Sequence, residues 1–291
     1  MQTLDLAAPP AEKAELDLQL SPSRSSLHVP AIFGQWQALS EKARQQSGSA
    51  AFLNLPYGKK TRQRLDVFTN GDRKGAQLRP VHVFIHGGFW QEGSKDDFHF
   101  LGPAFVKAGW IYIAAGYSLA PTVSLSEIVA EIREAAGYVR ARAADFGGDP
   151  ARIVVSGHSA GGHLAACLAL AGEEEQKLAG IVAISGVFDL HPIRQSYVND
   201  AINIGDDEAR LLSPALRAPI PGTVGRVLVG ALESPEFIRQ SRLLVQNWGN
   251  ACGSLSYSTI AGADHFSILL DLTDPTSQAF RAVAGVVDTA A

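Results

Sequence analysis

Short apolar segments alternate along the chain with stretches in which apolar residues recur at helical spacing. Segments 80–85, 110–115 and 153–155 are rich in β-branched and aromatic residues, a composition typical of buried strands. Segments 30–46 and 126–143 carry apolar residues three or four positions apart, which predicts amphipathic helices. Further strands are predicted at 64–68 (half-exposed), 181–184, 226–230 and 258–260. This alternation predicts an α/β fold whose mostly parallel central sheet is covered by helices on both faces.

Two segments depart from this alternation. Residues 1–25 show no clear period, and we expect them to form an N-terminal arm packed on or over a single domain, 26–291. Segment 188–225 has no clean strand, contains an acidic run and two proline-bearing turns, and is longer than an ordinary connection in such a fold. We therefore predict that this segment forms a lid over the carboxyl edge of the sheet.

The composition limits the classes of function. Of the 291 residues, 46% are apolar and 19% are charged, and the net charge is −4. The chain has no basic field for nucleic acid and no apolar run of the ~18 residues that a membrane span needs. Its two cysteines provide neither a disulfide framework nor a C-x-x-C spacing. The N-terminus lacks the basic opening and apolar core of a signal peptide, so we expect a cytoplasmic protein.

A glycine-framed serine joins a predicted strand to a predicted helix. The sequence GHSAG, with Ser159 at its centre, follows the strand at 153–155. In this context G-x-S-x-G is the pattern of a serine held at a sharp strand-to-helix turn. A phosphate-binding loop has similar glycine spacing, but His163 and Leu164 stand where its lysine and Ser/Thr are required. The pattern therefore predicts Ser159 as a nucleophile.

A serine nucleophile needs a base, and eight histidines compete for this role. Our candidate is His265, which follows the last predicted strand, because serine, acid, histidine is the order of α/β-hydrolases. His158 and His163 lie in or beside the serine turn and are expected to be structural, while His86 is expected to brace a glycine turn. The remaining histidines lack a position at a strand end: His28, His82, His99 and His191.

Three carboxylates are candidates for the acid. Asp189 follows one predicted strand, and Glu233 follows the next. The usual acid of this fold lies on the strand before the histidine loop, which favours Glu233 and leaves Asp189 as the alternative. Glu236, the third candidate, has a sufficient structural role at a helix N-terminus. Asp264, next to the candidate base, is expected to cap its loop.

A second glycine-containing turn, HGGFW at 86–90, follows the strand at 80–85. Its glycines let backbone amides turn toward the site, so we expect the oxyanion of a tetrahedral intermediate to be bound there. The expected donors are the amides of Gly87, Gly88, Phe89 and Ala160.

The HGGFW turn resembles the H-G-G-x-W signature of the kynurenine formamidases (arylformamidases), α/β-hydrolases that release formate from N-formyl-L-kynurenine in tryptophan breakdown. The resemblance covers nearly the whole chain from about residue 20 and includes GYSLAP at 116, SGVFDLHPI at 185, SPEF at 234 and DHF at 264. It implies that Ser159 is the nucleophile, Glu233 the acid and His265 the base, with no metal and no cofactor. The family acid is usually aspartate, so the glutamate is a departure.

The leading hypothesis is a serine hydrolase that removes a formyl or short acyl group from an arylformamide. Phe89, Trp90 and Tyr117 follow strand ends and Phe188 lies at the base of the predicted lid, and we expect these residues to form an aromatic substrate pocket. A carboxylesterase for short-chain esters is the alternative. A non-catalytic binding module is disfavoured, because all three triad residues are present. A small-molecule substrate is the expected partner, and a homodimer is left open.

Overall fold

The computed structural model describes residues 8–10, 12–25, 28–71, 77–172 and 178–289. Eight strands of this part form one sheet. They are β1 (Ala51–Pro56), β2 (Arg64–Phe68), β3 (Arg79–Ile85), β4 (Ile111–Ala115), β5 (Gly148–His158), β6 (Gly180–Ile184), β7 (Val224–Gly230) and β8 (Ser254–Ile260). All seven predicted strands are present, and the edge strand β1 is additional.

The sheet has the strand order β1-β2-β4-β3-β5-β6-β7-β8. β2 pairs antiparallel with β1 and β4, and every other neighbouring pair is parallel, which confirms the mostly parallel sheet. The prediction of a half-exposed β2 is wrong, because its last four residues are buried. The polar residue that suggested exposure, Asp66, is instead bound inside the protein by the ammonium of Lys95 and the imidazole of His99.

Helices cover both faces of this sheet. They are α1 (Lys13–Gln19), α2 (Pro22–Ser25), α3 (Val29–Ser47), α4 (Gly102–Lys107), α5 (Leu125–Arg142), α6 (Ala160–Cys167), α7 (Leu190–Gln195), α8 (Asn199–Ile202), α9 (Asp206–Leu211), α10 (Pro235–Trp248), α11 (Ile268–Asp271), α12 (Gln278–Ala284) and α13 (Val286–Thr289). In the described ranges, none of these helices combines the length and apolar character needed to cross a bilayer.

Two apolar cores lie on opposite faces of the sheet. Val83 and Ile85 of β3 enter the core that contains buried residues of α5, α6 and α10. Phe84, between them, enters the second core with residues of α3, α4 and α12. Successive side chains of a strand point to opposite faces, so a continuous apolar run serves both cores. The two cores hold the carboxyl ends of the parallel strands in place beneath the site.

The N-terminal arm packs on the domain. Leu16 is 1% exposed and joins the core, and Asp17 Oδ1 accepts a hydrogen bond from the amide of Tyr197 at 2.8 Å. Residues 1–7 and 11 of the predicted arm lie outside the described residues. The arm therefore meets the segment that was predicted to form a lid.

The segment 188–225 contains the short helices α7, α8 and α9 and a 3₁₀ turn, Pro214–Leu216. Its apolar side chains are largely buried, including Ile193 and Ile204. Trp248 of α10 ties the segment down, because its Nε1 donates to the carbonyl of Pro214 at 2.9 Å.

A buried charged cluster fixes the loop after β3 to the sheet. Lys95 Nζ lies 2.6 Å from Asp66 Oδ2 and 2.6 Å from Asp96 Oδ1. His99 Nε2 donates to the same Asp66 oxygen at 2.6 Å, and Arg44 donates to His99 Nδ1 at 3.1 Å. Because Nδ1 accepts from a guanidinium, this histidine is neutral with its proton on Nε2. The cluster joins β2, α3 and the loop that carries the expected oxyanion donors.

The cluster should make folding stability depend on acid pH. Burial opposes the ionisation of Asp66, but hydrogen bonds from His99, the Asn54 amide and Lys95 outweigh it and lower its pKa to about 2. An unfolded aspartate has a pKa of about 3.9, so the stabilisation is full above that pH and is lost as the pH falls toward 2. We expect Asp66→Asn to lower the free energy of unfolding by at least about 2 kcal/mol at pH 7.

Urea denaturation of the wild type and of Asp66→Asn at two pH values measures this effect. The difference in free energy of unfolding between wild type and variant should be about 1 kcal/mol smaller at pH 3 than at pH 7. At pH 3 the wild type has lost part of the stabilisation that the lowered pKa of Asp66 provides. Asp145→Asn, which removes a half-exposed carboxylate, serves as the control and should show no such difference. Equal deficits of Asp66→Asn at both pH values would contradict the assignment.

Candidate active site

Ser159 lies at a strained turn between β5 and α6. Its backbone has φ 56° and ψ −121°, a conformation that residues other than glycine rarely adopt. The flanking glycines permit the turn: a Cβ on Gly157 would lie 2.0 Å from the carbonyl oxygen of Gly161, and one on Gly161 would lie 2.1 Å from that of Ile85. The helix starts at Ala160, so its first amides point toward the serine. The predicted strand-to-helix turn is therefore present.

His265 and Glu233 form a buried pair at the ends of the neighbouring strands. His265 Nδ1 donates to Glu233 Oε2 at 2.7 Å, and the two side chains are 5% and 0% exposed. The other carboxylate oxygen, Oε1, accepts from Ser185 Oγ at 2.5 Å and from the Gly230 amide at 2.7 Å. With Nδ1 as the donor, Nε2 of His265 is left to accept a proton.

Ser159 and His265 line the same cavity. No hydrogen bond joins Ser159 Oγ to any group within the described ranges. Such contacts are often long before a substrate binds and tighten in the reacting complex. The arrangement can therefore support proton transfer from the serine to Nε2.

The competing carboxylates have other partners. Asp189 caps α7 by accepting from the His191 amide at 3.0 Å, and its Oδ1 also lies 2.9 Å from His191 Nδ1. Glu236 is bound by Arg239 through two hydrogen bonds of 2.7 and 2.8 Å. Asp264 accepts from the amides of the two residues that follow His265, as expected for a loop cap. In the described structure, neither Asp189 nor Glu236 makes a hydrogen bond to His265.

Three other histidines near the site are bound to backbone carbonyls. His158 Nε2 donates to the carbonyl of His265 at 2.6 Å, and His163 Nε2 donates to that of Leu212 at 2.7 Å. His86 Nδ1 lies 2.8 Å from the Gly87 carbonyl and braces the turn as expected. Burial lowers the pKa of His163 to about 4 and that of His86 to about 3, and it holds the pKa of His158 well below its usual value. These imidazoles are neutral and hold loops in place.

The turn after β3 presents free amides beside Ser159. Gly88 and Phe89 have φ values of 107° and 44°, and no protein group in the described ranges accepts from their amides or from that of Ala160. Gly87 packs closely, since a Cβ there would lie 3.0 Å from that of Ser159. Donors at the start of a helix and in an adjacent turn suit a developing oxyanion.

A cavity of about 680 Å³ opens above Ser159. Its walls come from the helices α2 and α3, the loop after β3, the serine turn and the histidine loop. Tyr197 adds a ring from the segment 188–225. The aromatic lining residues are Phe33, Trp36, Phe89, Phe98, Tyr197 and Phe266. Sequence reasoning missed the contribution of α3, although its amphipathic pattern was recognised.

The expected aromatic pocket residues are corrected by the structure. Trp90, Tyr117 and Phe188 are each 0% exposed and do not line the cavity. Trp90 packs edge-on to His163 at 5.0 Å, and Tyr117 stacks on His86 at 4.2 Å. These rings are core residues that support the turns of the site, and of the four predicted residues Phe89 reaches the cavity.

One group of side chains has the chemistry of a metal site among the described residues: Asp66, Asp96 and His99. The ammonium of Lys95 already lies 2.6 Å from both carboxylates. A fixed cation therefore occupies the position that a metal would take, and the group is explained as an ion-pair cluster.

Comparison with known proteins places this site in a family. The profile of the family described as BD-FAE matches residues 65–216, about half of the chain. The kynurenine formamidase of Danio rerio is 32% identical over 276 residues, which cover 90% of this chain and 92% of the fish protein. The chain belongs to the kynurenine formamidase family. The kynurenine formamidase of Salmo salar shows a similar likeness, with 30% identity over 90% of this chain.

Solved structures and esterases extend the likeness of this kynurenine formamidase family member. A crystal structure from Silicibacter sp. TM1040, provisionally described as a thioesterase, has a TM-score of 0.83 and 28% identity and covers 93% of this chain. Esterase LipQ of Mycobacterium tuberculosis is 33% identical over 43% of the chain. The fold is that of the α/β-hydrolases, and the protein is a hydrolase.

Proposed function

We propose that this protein is a serine hydrolase that removes the formyl group from an arylformamide such as N-formyl-L-kynurenine. The observation that carries the proposal is the cavity that Ser159 and His265 line together with aromatic side chains and free backbone amides, while Glu233 binds Nδ1 of His265. The likeness to two kynurenine formamidases over 90% of the chain supports the same substrate class. A cytoplasmic location, expected from the N-terminal sequence, is part of the proposal.

The first half of the proposed reaction forms an acyl-enzyme. Ser159 Oγ attacks the formyl carbon while its proton passes to Nε2 of His265, and Glu233 stabilises the imidazolium. The carbonyl oxygen becomes an oxyanion that accepts hydrogen bonds from the amide of Ala160 and from the amide of either Gly88 or Phe89. The intermediate collapses when the C–N bond breaks and His265 returns the proton to the leaving nitrogen. The aryl amine departs, and the formyl group stays on Ser159 as an ester.

The second half of the reaction releases formate. A water molecule gives a proton to Nε2 of His265 and attacks the formyl ester carbon, so a second tetrahedral intermediate forms at the same amides. The bond to Ser159 Oγ breaks, the serine regains its proton from His265, and formic acid leaves and ionises. No redox step is involved, and each proton taken by His265 is returned within the same half-reaction.

The lining favours an aryl leaving group. Flat apolar walls bind an aromatic ring through burial and ring–ring contacts, and Phe33, Phe266 and Tyr197, from three separate parts of the chain, line the cavity. Phe89 lies beside the expected oxyanion donors, where it limits the space for a long acyl chain. An aryl amine is also a better leaving group than an alkyl amine once its nitrogen receives a proton.

A substrate series tests the proposed function. We expect the purified protein to release formate from N-formylkynurenine, with kcat/KM for p-nitrophenyl esters falling as the acyl chain passes about four carbons, because pocket contacts decide relative rates. Formate can be measured by a coupled dehydrogenase and p-nitrophenol by absorbance. Efficient octanoyl-ester cleavage with no detectable formate release would contradict the arylformamide proposal and favour the carboxylesterase alternative.

A further inference from the structure

The side chains that line the catalytic cavity carry more negative than positive charge. Glu92 and Asp97 belong to the lining, whereas no lysine or arginine of the described residues does. The imidazole of His158 adds no positive charge, since burial holds its pKa well below the usual value. The cavity also receives the hydroxyl of Ser159, which is 4% exposed and has no partner in the described ranges. A polar ligand in this space meets negative charge and no fixed positive side chain.

Glu92 carries the more available carboxylate. The residue is exposed, and no hydrogen bond or ion pair engages its carboxylate within the described part of the chain. Its Cγ lies 3.0 Å from the point that a Cβ on Gly88 would occupy. The side chain therefore lies against the loop whose amides face the nucleophile, within reach of a substituent on a bound aryl group.

Asp97 is partly engaged by its own loop. Its Oδ2 accepts from the Ser94 amide at 3.0 Å, and burial raises its pKa. The guanidinium of Arg44 acts on Asp97 from outside the lining, but it donates to the carbonyl of Asp96 and to His99 Nδ1, each at 3.1 Å. Asp97 therefore contributes negative potential, while Glu92 remains free for direct pairing.

Aromatic rings line the same cavity as these carboxylates. The Phe33 ring centroid lies 5.2 Å from that of Trp36 and 5.1 Å from that of Phe266, and Phe89 faces Tyr197 at 6.4 Å. The face of an aromatic ring attracts an ammonium group, and the attraction grows when the cation is partly desolvated. Carboxylates and rings thus favour the same kind of ligand group.

We propose that the cavity selects arylformamides that carry an ammonium group on the aryl side chain, with Glu92 as its main counter-ion. This inference rests on the proposed function and adds substrate charge to it. N-formylkynurenine carries both an ammonium and a carboxylate, of which the cavity recognises the ammonium, while the carboxylate meets no lysine or arginine of the described lining. A formamide that keeps the amine and lacks the carboxylate is therefore the better substrate.

Four compounds that lack the formyl group test the charge preference without turnover. Calorimetry measures the binding of each to the wild-type protein. The compounds are kynurenine, the decarboxylated amine that lacks its carboxylate, the acid that lacks its side-chain ammonium, and the neutral ketone that lacks both groups. We expect the decarboxylated amine to bind about tenfold more tightly than the neutral ketone, kynurenine to lie between them, and the acid to bind most weakly. Equal dissociation constants, or tightest binding of the acid, would overturn the proposal.

A matched pair of variants tests the role of Glu92. Glu92→Gln keeps the size of the side chain and removes its charge, so the amine-to-neutral preference should fall from about tenfold to about twofold. Glu41→Gln removes an exposed carboxylate of α3 that does not line the cavity and should leave the preference unchanged. A preference that survives in Glu92→Gln would remove Glu92 from the recognition of the ammonium.

Formate release from the four N-formyl counterparts separates this inference from the proposed function. Formate release from all four at equal kcat/KM, with equal binding of the four deformylated compounds, would refute the charge preference and leave the formamidase proposal intact. Selective binding of the amine without formate release from any of them would refute the formamidase proposal and leave the charge preference intact.

Discussion

Replacing Ser159 with alanine is expected to reduce kcat by about 10⁵-fold or more while the fold stays intact. The hydroxyl makes no hydrogen bond in the described structure, so its loss removes the nucleophile without leaving a buried partner unsatisfied. The residual rate would come from the amides that stabilise the oxyanion and from substrate binding. Formate release under saturating substrate measures kcat, and thermal unfolding measures the stability of the variant.

The control for this variant is Ser256→Ala, which removes an exposed hydroxyl from β8 outside the cavity. Its kcat should equal that of the wild type. A Ser159→Ala protein that keeps more than about one hundredth of the wild-type kcat would exclude a covalent mechanism through this serine.

Glu233→Gln should lower kcat by about 10⁴-fold, because the amide forces the wrong tautomer on His265. Oε1 accepts from the Gly230 amide, which can only donate, so the oxygen of a glutamine would have to take this position. Its NH₂ group would then face His265 Nδ1 in place of Oε2. The imidazole would respond by carrying its proton on Nε2, where it cannot accept the proton of Ser159.

Two further variants make the assignment of the acid specific. Glu233→Asp keeps a carboxylate and should retain kcat to within about a hundredfold, since a carboxylate oxygen can still accept from Nδ1 of His265 and set its tautomer. Asp189→Asn keeps a side-chain oxygen that can cap α7, so it should change kcat less than tenfold and leave stability nearly unchanged. Steady-state kinetics at pH 7 measures all three variants, and a larger loss in Asp189→Asn than in Glu233→Gln would move the acid to Asp189.

The strands and the chemistry of their ends were predictable because local sequence determines them. The apolar runs of β3 to β7 are buried on both faces, so their composition alone identifies them. Ser159 and Glu233 follow such runs, His265 follows the partly exposed edge strand β8, and parallel strands bring their carboxyl ends to one edge. The edge strand β1 escaped prediction because none of its residues is buried and its register shifts between Phe52 and Leu55.

The lining of the cavity was not predictable from order along the chain. Phe89 and Trp90 are neighbours with positive φ values of 44° and 61°, and the turn sends one ring into the cavity and the other into the core. Helix α3 reaches the site through contacts distant in sequence, such as the hydrogen bond of 2.8 Å from Ser40 Oγ to the carbonyl of Asp97. Ser185, which binds the acid, follows β6 at φ 50°, and no local pattern distinguishes it from an ordinary turn serine.

The wall formed by α2 and α3 precedes every strand of the sheet in the chain. Ser159, Glu233 and His265 come later, each after one of the strands. Mutation of these two helices can therefore change which amine or alcohol fits the cavity without disturbing the groups that break the bond. Substrate range and bond chemistry are free to diverge separately among descendants of one ancestor. The matching family profile spans residues 65–216, so it includes Ser159 but neither this wall nor Glu233 and His265, and a match to that profile alone fixes neither the substrate nor the complete triad.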